Sequence, residues 1–387
     1  GPQGAHLRSL VTLVSEITQR PLLDGNRVTV LNDGDQAFPA MIAAIDAATT
    51  SISLGTYIFD NDHIGKLFLE ALQRAVARKV AVRVLIDDMG ARYSWPTMVH
   101  SLRHAGIPCA TFMPPFIPWK FQYTNLRTHR KSLVIDGKIG FTGGINIRAG
   151  HRLADHPRHP IRDHHFQVEG PIVSQIQEVF ADDWSFCTSE VLEGETWFPL
   201  IASQGNVLAR GIPDGPDENF ESFRHTLLGA IACAETSIRI VTPYFLPDTA
   251  LITALNVAAL RGISVDIVLP GQNNIALVQW ASTSLLWQIV ERGCRVWISP
   301  PPFDHAKLVV VDDLVSLVGS SNWDPRSLRL NFELNLECYD RSLASTLTNV
   351  IDERIGVSHR VTLEELDSRP LAIRLRDGIA RLAAPYL

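Results

Sequence analysis

Two stretches of this 387-residue sequence carry the same polar residues at the same spacing. The first is His129-Arg-Lys131-Ser-Leu-Val-Ile-Asp136, followed by Gly143, Gly144 and Asn146. The second is His305-Ala-Lys307-Leu-Val-Val-Val-Asp312, followed by Gly319, Ser320 and Asn322. One offset relates them: 305−129, 307−131, 312−136 and 322−146 all equal 176. A single His-x-Lys on a strand reads as an ordinary solvated edge; two copies in register, each with its asparagine, do not. Strand alternation puts the histidine and lysine of each copy on one face. Together the copies supply two imidazoles, two ammonium groups and two amides, a set suited to a tetrahedral phosphodiester. A neutral imidazole can attack phosphorus while a protonated one gives its proton to the departing alkoxide, and the roles reverse when an acceptor alcohol cleaves the intermediate. Lysines and asparagines stabilise the equatorial oxygens. An unperturbed imidazole titrates near ~6.5, so both protonation states are at hand near neutrality and no metal or cofactor is called for.

The repeat extends beyond the motif. Ala48-Thr-Thr-Ser-Ile-Ser-Leu-Gly-Thr-Tyr-Ile-Phe59 aligns with Ala234-Glu-Thr-Ser-Ile-Arg-Ile-Val-Thr-Pro-Tyr-Phe245 at an offset of 186. Each is followed by an Ala- and Leu-rich helical stretch and then a β-branched run, 80–86 and 263–269, as suits a buried strand. The expected fold is α/β: two tandem pseudo-symmetric domains, each a mostly parallel mixed sheet flanked by helices, with the active site in the interdomain cleft. Pro199, Gly205, Gly211, Pro213, Gly215 and Pro216 mark a linker region, which places the boundary near 205 and gives domains 1–205 and 206–387. Asp136 and Asp312 fall on expected turns, which suits a structural role.

With these residues in view, the sequence resembles the phospholipase D superfamily, whose HxKxxxxD and following GxxN occur in both halves of its two-domain members. The segments 128–146 and 319–333, Arg162-Asp163 and the tail 380–387 are similar, more narrowly, to bacterial cardiolipin synthases. The resemblance implies transfer of a phosphatidyl group from phosphatidylglycerol to a second phosphatidylglycerol or another lipid alcohol, with release of glycerol. It further implies that His129 is the nucleophile and His305 the general acid and later base, in an order that pseudo-symmetry leaves open. Lys131, Lys307, Asn146 and Asn322 would hold the phosphate. An acidic residue behind each histidine would fix its tautomer: Asp163, 34 residues after His129, and Glu333, 28 after His305.

A formal charge of −6 argues against an extended nucleic-acid surface, and no apolar run is long enough to span a bilayer. The five cysteines show no CxxC spacing, so neither a disulfide framework nor a zinc site is signalled. Gly1-Pro2 reads as a protease scar, so a natural anchoring segment is expected to be missing before it. The expected setting is peripheral, at the bacterial cytoplasmic membrane, with phosphatidylglycerol as substrate and no obligate protein partner. Phe116, Ile117, Trp119, Phe121 and Tyr123, with Lys120 and Arg127, suit an aromatic loop over the cleft that meets acyl chains or headgroups, or else an ordinary packed loop. Leu371, Leu375, Ile379 and Leu382 recur at helical spacing with Arg374, Arg376 and Arg381 on the polar side, which favours docking on the core over a membrane surface. The histidines at 151, 156, 159, 164 and 165 read as a solvated loop, and Asp87-Asp88 and Asp182-Asp183 as wet surface. Asp304 reads as pointing to water. The competing functions are a hydrolytic phospholipase D, in which water reaches the phosphohistidine, a nuclease of the same superfamily, and a catalytically dead lipid-binding module.

Overall fold

The computed structural model describes residues 4–112 and 126–382. By contact the chain forms two compact units that are not contiguous segments: Leu23–Pro213 with Asn331–Leu334, and Gly1–Leu22 with Asp214–Leu330 and Asn335–Leu387. The aromatic loop and the end of the C-terminal tail lie outside the described residues.

In the first unit the sheet runs, in spatial order, Val207–Asp214, Leu23–Asn32, His164–Glu169, Ile139–Gly143, Ser132–Ile135, Ser51–Thr56, Ala81–Asp87 and Cys109–Phe112. It is mixed. Its parallel part is the trio Ser51–Thr56, Ala81–Asp87 and Cys109–Phe112, joined by the helices His63–Ala77 and Met98–His104. The strands after the histidine are joined by a tight turn, which permits only antiparallel pairing, as in Ser132–Ile135 with Ile139–Gly143. Inside the stretch read as linker, Val207–Asp214 is a strand that pairs antiparallel with Leu23–Asn32 and is buried along nearly its whole length, Val207, Ala209 and Ile212 included. Phe38, Ile45, Phe68, Leu72, Val84 and Phe141 belong to the core between sheet and helices.

The second unit repeats this register. Its sheet runs His359–Arg360, Arg295–Ser299, Ser264–Pro270, Ser237–Val241, Leu308–Val311 and Val315–Gly319 to the strand Asn331–Tyr339. Ile52 pairs with Ile135 in the first unit and Ile238 with Val311 in the second. The isolated bridge Phe59 to Ile147 has its counterpart in Phe245 to Trp323. These are the two sequence offsets, 186 and 176, realised as hydrogen bonds.

The N-terminal helix Arg8–Thr18 buries Leu10 and Val14 and packs on Ser222–Cys233, so it belongs to the second unit. The C-terminal helix Leu371–Leu382 corrects the sequence reading. It buries Asp377 and Ala380, while Leu371, Leu375, Ile379 and Leu382 are exposed. No helix among the described residues is long and apolar enough to cross a membrane.

Candidate active site

In the first unit His129 and Lys131 stand in the extended lead-in to the strand Ser132–Ile135 rather than in the strand itself. That lead-in is held on both sides. Arg127 and Thr128 pair in parallel with Asn331 and Phe332, and the His129 N–H donates to the Phe332 carbonyl at 2.8 Å. The Thr128 N–H donates to Asp87 Oδ2 at 2.9 Å. Asp87 was read as wet surface, yet it is fully buried; burial pushes its carboxyl up to about 6, against the pull of Arg127 and of amides from Thr128, Gly90 and Met89.

His129 Nδ1 lies 3.0 Å from Glu333 Oε2, a carboxylate with no exposure. The family resemblance implies Glu333 as the acidic residue behind His305. The strand that carries it runs beside Thr128, which puts the carboxylate on His129 instead. A carboxylate at Nδ1 favours the tautomer of the neutral ring that carries its proton there. Asn331 Nδ2 donates to the other oxygen, Glu333 Oε1, at 3.2 Å and fixes the carboxylate in turn.

Arg130, between the two motif residues, points the other way. Its guanidinium reaches Asp183 at 2.6 Å and the Glu333 carbonyl at 3.0 Å, and lies over the Phe332 ring. Asp183, also read as wet surface, is buried by this grip. Lys131 is buried, donates to the His129 carbonyl at 2.7 Å and sits over the ring of Tyr57, which meets His129 edge-on at 5.3 Å. Asn146 Oδ1 accepts from the Ile58 N–H at 3.2 Å.

Asp163 is fully buried and accepts from the His164 N–H at 2.7 Å. Its carboxylate stands over Gly144, where an added Cβ would lie 2.4 Å from Oδ1. Only glycine fits there. The expected solvated histidine loop holds for His156 and His159 and fails for the other three: His151, His164 and His165 are buried, and burial lowers His165 to about 4, with the nearby Asp163 opposing and Lys131 adding to the shift.

In the second unit His305, Lys307 and Asn322 are all buried. Lys307 Nζ lies 3.0 Å from Nδ1 and 3.3 Å from Nε2 of His305 and donates to the His305 carbonyl. Asn322 Nδ2 donates to Ser327 Oγ at 3.1 Å. The rings of Tyr244 and Phe303 flank His305. Asp304 does not face water: it is buried in an ion pair with the buried Arg354 and caps the Ala306 N–H.

The motif aspartates do the same work in both units. Asp136 and Asp312, at φ of 52° and 53°, accept amides from Thr49, Thr50 and Ser51 and from Glu235, Thr236 and Ser237. Burial raises both carboxyls, but these bonds overcome it and hold them below the usual carboxylate range. They tie the turn after each motif strand to the start of its antiparallel neighbour.

Sequence reasoning missed Tyr57, Tyr244, Asp87, the Arg130–Asp183 grip and the Asp304–Arg354 pair. The two tyrosines carried a signal, since each closes a repeated strand, though one position out of register.

Each of the two copies of the α/β unit brings a histidine, a lysine and an asparagine to the corresponding end of its strands. The model of the family described as "Cardiolipin synthase, PLD-like domain" matches residues 41–184 and 227–355. The chain is 36% identical over 367 residues to the major cardiolipin synthase ClsA of Bacillus subtilis (strain 168), covering 94% of this chain and 76% of that one. It is 32% identical over 388 residues to a cardiolipin synthase of Geobacillus thermodenitrificans (strain NG80-2), covering 100% and 77%. The chain belongs to the cardiolipin synthase family of phospholipase D-like proteins. Its fold is shared with a phosphatidylserine synthase of Haemophilus influenzae Rd KW20, at a TM-score of 0.76 and 16% identity over 98% of this chain and 100% of that one.

Proposed function

We propose that this enzyme joins two phosphatidylglycerol molecules into cardiolipin with release of glycerol, through a phosphatidyl group carried on His129. Its class, a phospholipid phosphatidyltransferase, follows from its family. The observation that carries the assignment of the nucleophile is the contact between His129 Nδ1 and the buried Glu333 carboxylate. In the neutral ring that contact directs the proton to Nδ1 and the basicity to Nε2.

In the first step His129 Nε2 attacks phosphorus and the bond from phosphorus to the glycerol oxygen breaks. His305, protonated, gives its proton to that oxygen and glycerol leaves. In the second step the now neutral His305 takes the proton of an acceptor hydroxyl on the second phosphatidylglycerol. The new alkoxide displaces His129 from phosphorus. Lys131, Lys307, Asn146 and Asn322 neutralise and orient the phosphate oxygens. Lys307, close to both ring nitrogens of His305, stands where it can meet a phosphate oxygen beside that ring. Asp163, just ahead of the strand His164–Glu169 and packed against Gly144, supports the turn that carries Asn146.

We place the enzyme peripherally at the bacterial cytoplasmic membrane, where its substrate lies. The test follows cardiolipin, phosphatidic acid and glycerol together from phosphatidylglycerol vesicles, with His129→Ala and His305→Ala as controls. Cardiolipin with equimolar glycerol, lost in both variants, is expected. Phosphatidic acid without cardiolipin would make the enzyme a hydrolase.

A further inference from the structure

The C-terminal helix Leu371–Leu382 is built the wrong way round for a helix that serves only the core. Its apolar stripe looks outward: Leu371, Leu375, Ile379 and Leu382 are 70%, 58%, 67% and 78% exposed. At about 100° per residue these four span an arc of roughly 80°. Asp377 and Ala380, the buried residues, lie on the opposite side of the helix. That packed side meets the helix Ala276–Thr283 and is fixed by polar contacts: Arg369 and Arg376 both donate to Asp377 at 2.7 Å, and Arg376 stacks 4.3 Å from the Trp280 ring centre. The exposed arginines flank the leucines, Arg374 and Arg381 along one edge and Arg376 along the other.

We propose that this stripe is a docking surface for an anionic phospholipid bilayer, an inference that rests on the phospholipid-transferase reading above. A helix lying in the headgroup zone needs an apolar ridge to enter the acyl boundary and cations at its margins to meet lipid phosphates. Both are present, in that arrangement, on a helix whose other side is already anchored. The substrate phosphatidylglycerol supplies the negative charge, so the surface would hold the enzyme on the membrane that contains its substrate.

The experiment is flotation of the full chain with vesicles of phosphatidylglycerol and phosphatidylcholine in equal parts, and with phosphatidylcholine alone. Leu375→Ser/Ile379→Ser should weaken partitioning by on the order of tenfold for each apolar side chain withdrawn. Arg374→Gln/Arg381→Gln should weaken it on the anionic vesicles only. Both variants should turn over a monomeric short-chain phosphatidylglycerol at the wild-type rate, because no site residue is touched. A wild-type chain inactive on that soluble substrate would count against the transferase reading and not against the surface. Unchanged vesicle binding by Leu375→Ser/Ile379→Ser would overturn the proposal. So would light scattering showing lipid-free dimers that this variant converts to monomers, since the stripe would then be an interface between copies of the chain.

Discussion

Replacing Glu333 by glutamine changes one atom behind His129 and leaves the volume in place. The carboxylate is fully buried, 3.0 Å from Nδ1, and Asn331 already donates to its other oxygen. With Asn331 holding the amide oxygen, the new amide nitrogen faces the imidazole and donates. Nδ1 must then accept, the proton moves to Nε2, and the attacking lone pair is gone. In a serine protease the same exchange of a buried carboxylate for an amide behind a catalytic histidine lowers kcat by about 10⁴. The expectation here is a fall of ~10³–10⁴ in kcat, or about 4–5.5 kcal/mol of barrier, with KM little changed because Glu333 does not face the substrate. Steady-state cardiolipin formation measures the size of the loss, and a rapid-quench glycerol burst locates it. The burst should vanish with the steady-state rate. A kcat within tenfold of wild type would refute the reasoning; so would an intact burst followed by slow cardiolipin release, which would return Glu333 to the service of His305.

Arg354→Met should cost about 3–5 kcal/mol in urea unfolding, because it strands the buried Asp304 carboxylate, and adding Asp304→Leu should recover much of that; a loss below about 1 kcal/mol would contradict the pairing. Asp136 has a folded-state pKa below its ordinary value of 3.8, so it contributes stability that is present above that pH and is lost as pH falls through the folded value. Asp136→Asn should therefore be less stable at neutral pH and show a flatter acid limb in thermal unfolding below about pH 4, and an unchanged acid limb would remove the aspartate from that role.

Duplication is what made the sequence legible. His129, Lys131, Asn146 and their partners at +176 could be found by offset alone, and the same two offsets reappear as strand register. What the sequence could not convey was long-range partnership. Glu333 follows His305 in the chain but reaches His129, because four residues of one strand fold with the other unit. Asp304 looked exposed because Arg354, the cation that buries it, is 50 residues away. Asp87 looked like wet surface because nothing local reveals that the Thr128 amide will seek it. The C-terminal helix shows a subtler limit. Periodicity says that such a helix has two faces and not which face is docked; here two arginines on Asp377 make the small polar face the one that packs.

The proposed reaction passes through a phosphatidyl group carried by His129. The most direct measurement is an acid-labile label: the enzyme is mixed with radiolabelled phosphatidylglycerol, quenched within a turnover under conditions that preserve phosphohistidine, digested and mapped. Label on the peptide containing His129, absent in His129→Ala and accumulated when the acceptor lipid is withheld, is the predicted result. Label on the peptide containing His305, or cardiolipin formed in a single turnover with no labelled protein at all, would contradict it.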